Sequence, residues 1–265
     1  MKAYAMRQLS EALADTFSQT RYVLTDIDDT LTFRGRLAAQ TYTALEELQN
    51  AGFKVIPVTA APAGWCDLMV RMWPIDAVIG ENGGFYNVRH LDGVKRIFWL
   101  NDADRSGAEK FFTKLMRQIA TEVPSARLSA DQQFRLTSIA WDKPGTQSVT
   151  AEIQDRLRSA GASTTMNSIW IIGWVGGYDK LTMTRRMMSE VYGIDIDRAC
   201  DQVVYIGDSV NDGPMFNHFP NSVGVSTVVE FLPQLLRPPR WVTRGPGGQG
   251  FVELAKAVIS SRSHG

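Results

Sequence analysis

Apolar and polar positions alternate in two rhythms along the chain. Tyr22-Val23-Leu24, 53–59 (Phe-Lys-Val-Ile-Pro-Val-Thr), Ala77-Val78-Ile79-Gly80 and Val203-Val204-Tyr205-Ile206 are short β-branched or aromatic runs of strand length. Between the first three, 37–50 and 62–73 carry apolar residues at helical spacing, with Leu45 and Leu48 on one face, Gly52 just past the first helix and Pro62 at the start of the second. Strand, helix, strand, helix, strand predicts a doubly wound, mostly parallel sheet, an α/β core. Pro57 cannot donate to a ladder, which argues against a central position for its strand. Met6, Leu9, Leu13 and Phe17 recur at helical spacing and predict a lead-in helix over 4–18.

The rhythm changes after Asn82-Gly83-Gly84. Strands are expected at 85–88 and 96–100 around an Asp92-Gly93 turn, then a helix over 104–122, a strand at 136–141, a helix over 147–160 and strands at 163–167 and 169–174. Paired strands with separate helices predict an α+β module inserted at 85–178 into a core made of 1–84 and 179–265. Alternation then resumes, with a helix at 181–192, the strand 203–206, a strand at 222–226 and a final helix at 251–260; 245–250 is expected to be a loop.

Acidic residues sit where two of the apolar strands stop. Thr25-Asp26-Ile27-Asp28-Asp29-Thr30 places three carboxylates in four residues, and Gly207-Asp208-Ser209-Val210-Asn211-Asp212 follows the strand 203–206. Two unit charges ~4 Å apart repel by roughly 4 kcal/mol at an effective dielectric near 20, so such bunching calls for a cation or for a reaction that uses the charge. A polar turn built from Asx residues is the alternative reading of either segment. Lys180 opens the helix at 181–192, where a cation opposes the helix dipole and needs a local anion.

These segments, in this order, resemble the motifs of the haloacid dehalogenase (HAD) superfamily of phosphotransferases: Asp26-x-Asp28-x-Thr30, Thr59 at the next strand end, Lys180, and Gly207-Asp208-x-x-Asn211-Asp212. The insertion between the second and third motifs resembles the α/β cap of the Cof-like and sugar-phosphate phosphatase branch. The resemblance implies a phosphatase acting on a small phosphate monoester, with a sugar phosphate as one candidate, through an aspartyl-phosphate. Asp26 would be the nucleophile, Asp28 the general acid and base, and Thr30 the residue orienting Asp26. Thr59, Ala60, Lys180 and Asn211 would hold the phosphoryl group. Mg²⁺ would be held by Asp26, Asp28 through its backbone carbonyl, Asp208 and Asp212. Arg89, Arg135, Asn167 and Trp170 are candidate contacts from the cap. Ala60-Ala61-Pro62 stands where many sugar-phosphate members carry Gly-Arg. A phosphomutase, a phospho-accepting receiver domain and a catalytically silent binding protein are the competing readings.

Composition narrows the partners. Lys+Arg and Asp+Glu both number 28, so no basic field attracts nucleic acid or anionic lipid. Two cysteines, Cys66 and Cys200, offer neither a disulfide framework nor a Cys-x-x-Cys metal site and fit a reducing cytoplasm. No stretch approaches the ~18 apolar residues of a membrane span. A soluble cytoplasmic monomer or homodimer with a small-molecule substrate is the expectation. Gly245-x-Gly247-x-x-Gly250 has a dinucleotide-site spacing, but the chain has no room beyond it for the required strand and acid.

Overall fold

The computed structural model describes residues 6–143 and 145–262. Six strands form one parallel sheet in the order β1-β14-β13-β12-β2-β5. Along the chain the strands are β1 Arg7–Gln8, β2 Tyr22–Thr25, β3 Thr32–Phe33, β4 Arg36–Leu37, β5 Lys54–Pro57, β6 Ala77–Gly80, β7 Phe85–His90, β8 Gly93–Phe98, β9 Ser138–Asp142, β10 Ser163–Met166, β11 Trp170–Trp174, β12 Val203–Gly207, β13 Asn221–Gly224 and β14 Trp241–Val242. The helices are α1 Ala39–Asn50, α2 Ala63–Met72, α3 Asp102–Glu122, α4 Gln147–Ser159, α5 Lys180–Tyr192, α6 Gly213–His218 and α7 Gly247–Arg262.

The central strands read as unbroken apolar runs because both faces are covered. Val23, Val55 and Val204 point to the side of α1, α2 and α7, where Leu45, Leu48, Val70, Leu254 and Val258 are buried. Leu24, Ile56 and Tyr205 point the other way, onto Met183, Met187 and Met188 of α5 and Met215 and Phe216 of α6. One-residue alternation on the strands and a 3.6-residue stripe on the helices together build this three-layer core. Pro57 pairs with Thr25 and lies on the outer strand of the six, where no donor is demanded of it. Beyond it the Val58–Ile79 bridge, with the Asp76 N–H donating to the Val55 carbonyl and the Thr59 N–H to the Ile79 carbonyl, leads on to the β6-β7-β8 meander, so the hairpin β7–β8 extends from the core strand β6.

Besides the short antiparallel β3-β4 pair, a three-stranded antiparallel sheet runs in the order β10-β11-β9. Ile139, Trp141 and Ile171 face α3 and α4 and bury Phe112, Leu115, Ile119, Ile153 and Leu157. The opposite face carries Ala140, Trp170, Ile172 and Trp174, which pack with Ala60 and Tyr178. An apolar face of this sheet therefore lies over the end of β5. Among the described residues no helix is long and apolar enough to cross a membrane.

Two expectations fail. The lead-in helix is absent: Arg7 and Gln8 pair with Trp241 and Val242 as a sheet edge, and a 3₁₀ turn over Leu9–Glu11 follows. Leu9 and Phe17 are buried while Leu13 is 74% exposed, so the apolar spacing never forms one helical face. Residues 4 and 5 of that expectation lie outside the described residues. The expected loop at 245–250 is mostly helix, since α7 begins at Gly247. Here glycine serves close approach: a Cβ on Gly248 would stand 2.1 Å from Thr41 Oγ1 and 2.7 Å from the carbonyl oxygen of Leu31.

Candidate active site

The strand order puts β2 beside β12, and both run in the same direction. Their carboxyl ends, where open α/β sheets bind ligands, therefore meet. The Asp26 N–H donates to the Ile206 carbonyl at 2.9 Å, which locks the residue after β2 against the end of β12. Asp26, Asp208 and Asp212 are all buried, with one carboxylate oxygen of each within 4.8 Å of the others. Lys180 enters the cluster from the first turn of α5, its Nζ 3.1 Å from Asp26 Oδ1 and 2.7 Å from Asp212 Oδ1. The anion that a lysine at a helix N-terminus requires is thus supplied from two other elements. Asp179 caps that helix through a capping box with Thr182.

Asp212 accepts four donors. Oδ1 takes Lys180 Nζ and the Tyr205 hydroxyl; Oδ2 takes the N–H groups of Asp208 at 2.9 Å and Ser209 at 3.0 Å. All its lone pairs are engaged, and the carboxylate ties the loop after β12 to Lys180. This fold-back demands glycine at 207, where a Cβ would stand 2.4 Å from Asp212 Oδ2. Asp208 accepts from the Thr30 hydroxyl at 3.2 Å, so Thr30 steadies Asp208 rather than Asp26. Asp29 has φ 52° and accepts from the Arg34 N–H, a turn residue as its sequence context suggests.

Burial dominates the electrostatics. It pushes the Asp26 carboxyl up to about 8, against the pull of Lys180 and with added repulsion from Asp212 and Asp28. It pushes Asp28 up to about 7, Asp29 adding to the effect while Lys180 and Arg135 oppose it. Asp208 rises well above the carboxylate range, through burial and then through Asp212 and Asp26. Burial would lower Lys180, but Asp212 and Asp26 outweigh it and hold the ammonium above its usual value. Asp28 Oδ2 is buried with no hydrogen-bond partner among the described residues. With every lone pair of Asp212 engaged, that residue is closed to the direct ligation expected of it; Asp26 and Asp208, beside the orphaned Asp28 oxygen, are the donor set that fits a hard divalent cation.

Thr59 and Ala60 follow β5, one strand over. The Val58 N–H donates to the Thr25 carbonyl at 2.7 Å, so Thr59 and Asp26 both leave the carboxyl ends of neighbouring strands. Thr59 Oγ1 accepts from the Ala61 N–H at 3.0 Å. Asn211 reaches the Asn82 amide at 3.4 Å and accepts from the Ser209 hydroxyl. A cavity of about 190 Å³ opens between Asn82, Lys180 and Asn211 on one side and Thr164, Thr165 and Trp174 of the insert on the other.

The four candidate cap contacts divide. Arg89 donates to the Val70, Arg71 and Trp73 carbonyls and closes the end of α2, away from the cluster. Asn167 Oδ1 accepts from the Ile169 and Trp170 N–H groups and shapes the β10–β11 turn. Trp170 and Arg135 are buried where the insert meets the core.

Glu81 escaped the sequence reading. It is fully buried at φ 48° and accepts from the Ala63, Leu136 and Thr137 N–H groups and the Thr137 and Ser138 hydroxyls. The available signal was an acid directly after the apolar strand 77–80, the same pattern that marks Asp26 and Asp208. Glu81→Ala would leave those buried donors unpaired, and we expect a loss of about 3–5 kcal/mol in urea denaturation.

No family model matches the chain, and no curated protein matches it in sequence. Solved structures do match. A Plasmodium vivax protein described as an HAD/COF-like hydrolase superimposes with a TM-score of 0.69 at 14% identity, covering 95% of this chain and 99% of that one. The chain has the HAD fold. The C-terminal domain of trehalose-6-phosphate phosphatase from C. albicans matches with a TM-score of 0.70 at 13% identity over 98% of this chain and 99% of that one. Sucrose-phosphatase from Synechocystis, solved with sucrose and phosphate, gives 0.64 at 13% identity over 90% of this chain and 98% of that one. At these identities the likeness is one of HAD architecture, and the chemistry rests on the residues.

Proposed function

We propose that this protein is a Mg²⁺-dependent phosphatase that hydrolyses a small phosphate monoester through an aspartyl-phosphate. The observation that carries the reading is the convergence of Asp26, Asp208 and Asp212 with Lys180 in one buried cluster at the carboxyl ends of β2 and β12. The solved structures of like fold include a trehalose-6-phosphate phosphatase and a sucrose-phosphatase bound to sucrose and phosphate, which favours a sugar phosphate as substrate.

In this reading the substrate phosphoryl group lies against Thr59, the Ala60 N–H, Lys180 and Asn211. An Asp26 oxygen attacks phosphorus, the bond to the leaving oxygen breaks, and Asp28 gives that oxygen its proton. Asp28 then takes a proton from a water that attacks the phosphorus of the aspartyl-phosphate, which releases inorganic phosphate and restores Asp26. A group whose pKa is pushed to about 7 is suited to both transfers. Asp26, the Asp28 carbonyl and Asp208 would hold the divalent cation, with Asp212 tethering Lys180 and the loop. When bound, the cation offsets the repulsion between an anionic nucleophile and an anionic substrate. The insert within 85–178 serves as a cap that excludes water from the site through its Ala140, Trp170, Ile172 and Trp174 face.

Phosphate release from p-nitrophenyl phosphate and from a panel of sugar monophosphates, with and without Mg²⁺, tests the proposal. Mg²⁺-dependent release from at least one compound is expected. No release from any would remove the reading.

A further inference from the structure

A second group of buried charges lies where the insert meets the end of β5, and no step of the proposed reaction uses it. The Arg135 side chain is fully enclosed and pairs with Asp131 through two bonds, Nε to Oδ1 and Nη2 to Oδ2, both 3.1 Å. The Trp170 ring packs on the guanidinium at 4.8 Å. Fork and ring together fix the guanidinium plane. Nη1 then has one direction to point, and it donates to the Ala60 carbonyl at 3.0 Å and to the Ser138 hydroxyl at 3.3 Å. Ser138 spends its own proton on Glu81 Oε2 at 2.7 Å, which leaves its lone pairs for Arg135. The path runs from a core acid to an insert hydroxyl, to an insert cation, and back to a core carbonyl.

That carbonyl belongs to the same rigid peptide unit as the Ala61 N–H. The N–H donates to Thr59 Oγ1, so both ends of the unit are held and the Thr59 hydroxyl proton is turned away from it. We infer that Arg135 is a positioning residue: with the insert seated, it fixes the Ala60–Ala61 peptide and through it the Thr59 hydroxyl that donates to a phosphoryl oxygen. The inference rests on the phosphatase reading. Without the insert, the Ala60 carbonyl loses its buried donor, and the phosphoryl-holding loop loses its set orientation.

The test compares native protein with Arg135→Met, Arg135→Lys and Asp131→Asn, all with saturating Mg²⁺. It measures kcat and KM for p-nitrophenyl phosphate and the inhibition constant of inorganic phosphate. For Arg135→Met, KM and the inhibition constant should rise together by about tenfold, the equivalent of about 1.4 kcal/mol of phosphoryl binding, with a smaller change in kcat. Arg135→Lys keeps one donor for the Ala60 carbonyl and should recover most of the loss; Asp131→Asn should show part of it. A purely structural residue would lower thermal stability and the active fraction while leaving both constants unchanged, and that result overturns the inference. If Arg135→Met does not fold, unchanged constants in Asp131→Asn overturn it equally. If native protein releases no phosphate, the phosphatase reading fails separately, and calorimetric titration of native and variant protein with inorganic phosphate decides the matter. Weaker binding by the variant then supports the positioning role; equal binding, or none by the native protein, ends it.

Discussion

Asp26→Asn is expected to lower kcat on p-nitrophenyl phosphate by at least about 10⁴-fold, the scale seen when a nucleophile is removed from a covalent catalyst. The carboxamide keeps the shape of the side chain and can still accept the Ile27 N–H bond that Asp26 Oδ1 accepts at 2.8 Å. What it lacks is the anionic oxygen that bonds phosphorus. The substitution also removes one of three crowded carboxylates, so in metal-free buffer the variant should melt no lower than the native protein. Lost activity with an intact melt therefore separates chemistry from folding. Asp28→Asn should behave differently. A proton donor matters most for a poor leaving group, so its loss should weigh more on a sugar monophosphate than on p-nitrophenyl phosphate, whose leaving group is a stabilised phenolate. Equal losses on the two substrates would count against Asp28 as the general acid. Turnover by Asp26→Asn within tenfold of native would remove Asp26 as the nucleophile.

Much of this was legible in the sequence, for a local reason. An apolar run that stops at acidic residues announces both the strand and the chemistry at its end, and β2 with Asp26 and β12 with Asp208 follow that rule. Glu81 follows it too, yet its partners Leu136, Thr137 and Ser138 lie 55 to 57 residues away, and nothing in the local pattern names them. The same bonds explain why β9 starts at Ser138 rather than at 136: the Leu136 and Thr137 N–H groups are taken by Glu81. The lead-in helix failed because a distant strand, β14, captured the backbone of Arg7 and Gln8, and pairing across the fold outweighs local helical spacing. Thr30 belongs to the site but bonds a different carboxylate from the one its motif implies, since strand order brings Asp208, 178 residues away, within hydrogen-bond reach of its hydroxyl.

Removing the divalent cation should abolish turnover and also invert the ordinary dependence of stability on pH. Without it, burial lifts Asp28 to about 7 and Asp26 to about 8, from an unfolded value of 3.8, and Asp208 moves the same way. The folded chain then holds protons that the unfolded chain has released. The stabilisation these groups give is therefore complete below pH ~4 and disappears as pH rises through about 7 to 8. For Asp28 the displacement is about 3 pH units, an effect on the order of 4 kcal/mol. A bound cation needs the ionised carboxylates, so its binding expels those protons and tightens as pH rises. Melting temperatures from pH 5 to 9 should fall steadily in chelator and stay level in Mg²⁺, so that the gap is widest on the alkaline side. A chelated protein whose melting temperature instead climbed across that range would mean that Lys180 alone keeps the cluster ionised, and that the acids were assembled for the lysine and not for a metal.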